Sequence, residues 1–295
     1  LYHQLRTPAV SEGEYRSRER LLRHLEERET LRLRLQLILS KLGKRSAADT
    51  VEVFYPKEHG PGMLILALFL LLALFLSAGL LFVMEEAVFL FLALLVVIPL
   101  FHHRRMKRME RDFATVAYAV EMVSAWRRIR GQVPEQEEIF SPEFYRAGEK
   151  AGMLRFIGAG VANDELVQMI NSFLLLDILS YELTKNLLAR LKDEIFAIHE
   201  GLGRIDAAIS VLSYRKSMQE YWIPDMEFDG ERTILMEGLW HPLISDAVRN
   251  DADLQSPVLL TGSNASGKST FLKTVMLCAV LSQSILTAPC RTYRA

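Results

Sequence analysis

Cysteine is scarce: the 295 residues hold two, Cys278 and Cys290, too few for a disulfide framework, and both are expected to be reduced packing residues in a cytosolic setting. A surplus of charge is missing too. With 35 basic and 36 acidic side chains the net charge is −1, which gives no general attraction to polyanions. No cluster of His, Cys, Asp or Glu has metal-ligand spacing, no Ser, His and Asp follow a hydrolase order, and no repeat emerges. Zinc modules, serine hydrolases and solenoids are thereby set aside.

Charge is also absent locally. Residues 62 to 84, GMLILALFLLLALFLSAGLLFVM, carry none over 23 positions, enough to cross a hydrocarbon core of about 30 Å as a helix. Glu85 and Glu86 interrupt, and AVFLFLALLVVIPLF from 87 to 101 supplies a second, shorter run with Pro99 near its end. The pattern predicts a hairpin of two membrane helices joined by a turn at Met84 to Glu86. Its internal position and length exclude a cleaved signal peptide. HHRRMKRMER follows, with five Lys/Arg and one Glu, and residues 1 to 50 carry eleven Lys/Arg against seven acidic residues. Both termini are therefore expected in the cytosol of a bacterium, with the spans in its cytoplasmic membrane and the basic run in contact with membrane lipid.

Elsewhere the periodicity is helical. A charged amphipathic helix with a solvated face is expected from Ser11 to about Lys44, followed by a connector ending in HGPG. DFATVAYAVEMVSAWRRIRG reads as a helix, and one helix near forty residues, about 55 Å of lever, is expected from Asn163 to about Glu200. RIDAAISVLSYRKSMQEYW continues as a second helix, Pro224 and Asp225 mark a boundary, and ERTILMEGLWHPLI reads as a strand and a turn. FLLLD, 173 to 177, mimics a strand ending in a Mg²⁺-binding Asp, but it falls within the lever pattern, so Asp177 is expected to be an exposed helix residue.

The most specific signal is LLTGSNASGKSTFLKT, 259 to 274. Gly262, Gly267, Lys268 and Ser269 satisfy G-x-x-x-x-G-K-[ST], whose glycines let consecutive N–H groups curl around phosphate oxygens. Val258, Leu259 and Leu260 suit a buried parallel strand, while Phe271, Leu272, Val275, Met276 and Ala279 recur at helical spacing. The site expected is one for ATP and Mg²⁺. Lys268 would reach the phosphates and Ser269 would ligate the metal, and these two carry the catalytic assignment. Gly262, Asn264, Ala265, Ser266, Gly267, Lys268, Ser269 and Thr270 would form the nucleotide nest.

The last 130 or so residues resemble the junction of core and ATPase domains in the MutS mismatch-repair family. The resemblance rests on Asp206 opening a helix that ends near Tyr221 and Pro224, on Gly238 with His241 and Pro242, on Asn250 with Asp251, on Thr261 to Thr270, and on Gln283 through Ala288. Ser263, Ala265 and Ser266 stand where the family has Pro, Met and Gly, and Gly238 to His241 is one residue longer than the usual turn. The resemblance implies a dimeric ATPase that moves levers and any clamp on DNA, and it places Asn264 near the γ phosphate. It also implies a fragment cut at both ends, with the Walker B residues, the signature segment and the homodimer surface lying beyond Ala295. No Phe-x-Glu wedge for mismatches occurs, and residues 112 to 295 hold 18 Lys/Arg against 24 Asp/Glu, so DNA is a possible partner that charge does not support.

The fold expected is mainly α: a charged N-terminal helix and connector (1–61), a two-helix transmembrane hairpin (62–103), a helical core or lever domain (104–222), then the start of an α/β P-loop ATPase domain (223–295). The function expected is a membrane-anchored MutS-like ATPase acting on mismatched or structured DNA. An ABC-type transport ATPase and a nucleotide-switched membrane scaffold are the alternatives.

Overall fold

The computed structural model describes residues 11–42, 62–133, 140–152, 154, 165–218, 220–228 and 234–295, without the side chains of 108–113 and 165–168. The elements in chain order are α1 (Glu12–Glu27), α2 (Glu29–Leu39), α3 (Gly62–Leu80), α4 (Ala87–Arg130), α5 (Pro142–Ala151), α6 (Glu165–Leu174), α7 (Leu176–Arg190), α8 (Lys192–Ser217), β1 (Leu235–Leu239), β2 (Asn250–Asp253), α9 (Lys268–Ile285) and β3 (Thr292–Arg294). The chain is mainly helical. The HGPG connector and the expected helix start at Asn163 lie outside the described residues.

Two compact units emerge: the described part of Leu1–Gln36 with Gly203–Ala295, and Leu37–Leu202. In the second, α3 and α4 are long and apolar enough to cross a membrane, and only 17% and 6% of their apolar windows are buried. Ser77, inside α3, returns its hydroxyl to the Leu74 carbonyl at 2.8 Å, which satisfies the polar group within the apolar helix. The turn between the helices is longer than Met84 to Glu86, because α3 stops at Leu80 and Met84 N–H bonds back to the Leu80 carbonyl at 2.8 Å.

The helix starting at Ala87 does not end with the apolar run at residue 101. α4 continues through the basic cluster to Arg130, 44 residues and about 66 Å, so the second apolar run and the helix expected after it are one rod. Pro99 sits inside α4 without ending it. One face of the hairpin, including Ala67, Leu74 and Ile98, packs with Leu175 and Ile178 of the helical part.

That contact corrects the expected lever. Residues 165–217 form three helices, broken at Leu175, which is fully buried with φ 50°, and at Leu191. A left-handed leucine is costly, and burial of its side chain in the apolar cluster offsets that cost. The expected end near Glu200 is also corrected. α8 runs through Gly201 and Gly203, and a Cβ at Gly201 would overlap the Phe144 ring, so this glycine admits an aromatic instead of ending a helix. Asp177 is buried, 6% exposed, not an exposed helix residue. It accepts a bond from the Ile178 N–H and pairs with His102 Nε2 at 2.7 Å.

In the other unit the expected single N-terminal helix breaks at Arg28 (φ −116°) into α1 and α2. Ser11 caps α1, accepting from Glu14 N–H at 3.3 Å, with Glu12 and Glu14 in the first turn where the helix dipole favours them. Tyr15, Leu21, Leu22 and Leu25 are buried while Glu12, Arg16, Arg20, Arg23 and Glu27 are exposed, so α1 is amphipathic, with one packed and one solvated face. The sheet is antiparallel, ordered β2-β1-β3, and β1 is the expected strand. Met236, Leu239, Ala252, Cys278, Ala288, Cys290 and Tyr293 form its core with α9. Both cysteines are free and buried, as packing residues. The expected strand at Val258 to Leu260 is absent; no ladder partner runs beside it among the described residues, and Leu259 is 87% exposed.

Candidate functional site

The loop from Gly262 to Gly267 turns on three left-handed residues: Gly262 (φ 155°), Ala265 (φ 64°) and Gly267 (φ 88°). A Cβ at Gly262 would approach Ser266 Oγ to 2.9 Å, so that hydroxyl would have to turn aside, and the positive φ is what favours glycine there. The chain then enters α9 at Lys268 with no side-chain cap. Among the described residues, no backbone acceptor engages the N–H groups of Gly267, Lys268, Ser269 and Thr270, the orphan donors of a helix start.

Lys268 folds back over the loop. Its Nζ donates to the carbonyls of Gly262 at 2.6 Å and Ser263 at 2.5 Å, with Ser266 Oγ at 3.5 Å. The geometry thus brings Gly262, Ser266, Gly267 and Lys268 together, and Asn264, Ala265, Ser269 and Thr270 lie exposed along the same segment. A concave run of N–H donors, a lysine ammonium and the positive end of an 18-residue helix is an arrangement that can hold an anion. Among the described residues, no group of three or more His, Cys, Asp or Glu could hold a metal ion.

The far end of α9 holds residues that sequence reasoning did not single out. The helix closes at Leu286, also left-handed (φ 53°). Arg215, 4% exposed, donates from Nη2 to the Leu286 carbonyl at 2.6 Å and from Nε to Thr287 Oγ1 at 2.9 Å, and its guanidinium lies over the Tyr221 ring at 5.2 Å. Glu26 of α1 stands 3.7 Å from Arg215 Nη1 and accepts from the Tyr221 hydroxyl at 3.0 Å. Burial lowers the pKa of Arg215, with Tyr221 and Glu26 opposing that shift. Arg18 of α1 donates to the Ser284 carbonyl at 3.0 Å. Two arginines thus neutralise the negative end of the helix whose positive end faces the loop. No local pattern announces either one, since Arg18 and Ser284 are 266 positions apart.

Several residues that carry the family resemblance also meet. Asp251 Oδ1 accepts from Gly238 N–H at 2.7 Å, where left-handed Gly238 accompanies a register shift between β1 and β2. Trp222, between Tyr221 and Pro224, exchanges two backbone bonds of 2.9 Å with Ala288.

No family model matches the chain. Curated relatives do, at low identity. The DNA mismatch repair protein MutS of Staphylococcus carnosus is 30% identical over 140 residues, 43% of this chain and 16% of that protein. MutS of Staphylococcus epidermidis is 28% identical over 167 residues, 51% of this chain and 19% of that protein. Endonuclease MutS2 of Staphylococcus aureus is 29% identical over 104 residues, a third of this chain and 14% of that protein. The chain therefore spans less than a fifth of the length of these relatives, and the similarity is to part of the MutS and MutS2 proteins.

Proposed function

We propose that this chain carries the nucleotide-gripping part of a membrane-anchored, MutS-like ATPase. The observation that carries the reading is the Lys268 ammonium folded over a loop with left-handed Gly262 and Gly267, at the start of a helix with unengaged N–H groups. ATP fits this cradle: Lys268 would exchange its two carbonyls for β and γ phosphate oxygens, and the N–H groups from Asn264 to Thr270 would bind the rest. Mg²⁺ would take the Ser269 hydroxyl and neutralise phosphate charge when bound. Low-identity similarity to MutS and MutS2 supports the same engine and a DNA-related load, together with dimerisation.

The anchor rests on α3 and α4, whose apolar windows stay largely unburied, unlike core helices of a water-soluble protein. The domain boundaries at 62, 104 and 223, and cytosolic placement of both flanks, belong to the same proposal.

The test is nucleotide binding and hydrolysis by the full-length protein in lipid nanodiscs, without DNA, with matched duplex and with mismatched or branched duplex. ATP turnover raised by DNA and lost in Lys268→Ala is the expected result. Unchanged ATP affinity in Lys268→Ala would overturn the site, and turnover indifferent to every DNA would overturn the DNA-related load.

A further inference from the structure

The break at Leu175 has a place as well as a shape. Asp177, two residues beyond it, is held by His102, the first polar side chain after the apolar run of α4. Leu175 and Ile178 belong to the cluster of Ala67, Leu74 and Ile98, and Ile98 lies one turn, about 6 Å, inside that run. The elbow between α6 and α7 therefore sits against the basic end of the apolar hairpin, at the level where hydrocarbon would give way to water.

Its sequence suits that level. Residues 166 to 176, LVQMINSFLLL, carry no charge. Leu175 is buried, whereas Met169, Ile170 and Leu176 around it are exposed. The polar groups close on the protein itself. Ser172 returns its hydroxyl to the Met169 carbonyl at 2.7 Å, Asn171 is buried, and Asp177 is taken by His102 and by the Ile178 N–H. The kink keeps backbone bonds on both sides, from Leu175 N–H to the Asn171 carbonyl at 2.8 Å and from Leu179 N–H to the Leu175 carbonyl at 3.0 Å. Such closure is what hydrocarbon demands and what a water-facing loop has no need of.

From this placement, and resting on the membrane reading above, we propose that the α6–α7 elbow is a third membrane contact, in which Met169, Ile170 and Leu176 enter the acyl-chain edge of the leaflet at the basic end of the hairpin. The exposed apolar surface of the elbow continues that of α3 and α4, whose apolar windows are largely unburied, so one solvent covers both. A second copy of the chain fits less well. It would have to strip lipid from the same edge, and it would find Ser172, Asn171 and Asp177 already engaged. The helical part is then fastened to the bilayer at its kink.

The test uses the full-length protein in mixed phosphatidylcholine and phosphatidylglycerol vesicles, with an environment-sensitive fluorophore on single introduced cysteines; Cys278 and Cys290 are buried, out of reach of the label. Labels at Ile170→Cys and Leu176→Cys are expected to shift their emission to the blue and to be quenched by lipids brominated on the acyl chains, as at Phe89→Cys on α4. Met169→Cys repeats the reading at a third position, and Lys150→Cys on α5 supplies the reference for quenching by aqueous iodide. Quenching at Ile170 and Leu176 by iodide alone, with Phe89 still quenched by brominated lipid, overturns the elbow and leaves the membrane reading standing. A label at Phe89 that is indifferent to brominated lipid overturns the membrane reading itself. Shielding of Ile170 and Leu176 from both quenchers overturns the lipid assignment in favour of a second copy or another protein.

Discussion

Replacing Arg215 by methionine keeps most of the buried stem and deletes the fork that holds Leu286 and Thr287. The left-handed end of the loop helix then lacks its donor, and a loss of about 1–3 kcal/mol is expected in urea unfolding. Arg215→Lys should recover only part of it, because an ammonium cannot reproduce the two-pronged geometry. Gly148→Ala acts by the opposite means, since its Cβ would overlap the Trp126 indole, which also donates to the Phe144 carbonyl at 2.9 Å. Overpacking there should cost about 1–3 kcal/mol or more, read from the midpoint of tryptophan fluorescence. His199 gives a pH dependence: burial lowers its pKa below the usual 6.5, with Glu200 pulling the other way. Its unfolded form binds protons first, so its contribution is complete above pH 6.5 and declines as the pH falls from there toward the folded value. His199→Gln should flatten the thermal midpoint over that acid range relative to the wild type.

Elements whose cause is local were legible in the sequence. The apolar composition of residues 62–101 announced α3 and the start of α4, and the glycine and lysine spacing announced the turn into α9. Breaks whose cause is remote were not. Leu174, Leu175 and Leu176 contain no turn signal, and the left-handed kink at Leu175 comes from burial against a helix a hundred positions earlier. Gly201 and Gly203 looked like a stop because glycine commonly ends helices, whereas Gly201 serves contact with Phe144. Val258 to Leu260 had the composition of a buried strand, but composition cannot supply a ladder partner. The strongest claim at this scale is the continuity of α4. Spin labels at Leu92→Cys and Arg128→Cys, ten turns apart on one face, should give a narrow distance distribution centred near 54 Å. A broad or much shorter distribution would place a joint between the apolar run and the rest of the helix.

At the scale of the whole molecule, the even charge balance conceals segregation: 23 residues with none, then five cations within ten positions. On the proposed reading, two spans would return the chain to the side it left, so an impermeant maleimide should label Phe82→Cys in intact cells and Lys150→Cys only after permeabilisation. Labelling of both in intact cells would reverse the orientation of the second half. α1 finds its seat against segments far later in the chain. Tyr15 bonds to the Pro224 carbonyl 209 positions away, and Arg18 reaches Ser284. On a ribosome moving at about 5–20 residues per second, α1 emerges before Pro224 and waits on the order of 10–40 s for that partner. Throughout that wait Tyr15 and Arg18 lack these partners, and the two apolar helices leave the tunnel before the wait ends. Whatever shields the nascent α1 must therefore hold it past the synthesis of the two apolar helices and release it only when Pro224 and Ser284 arrive.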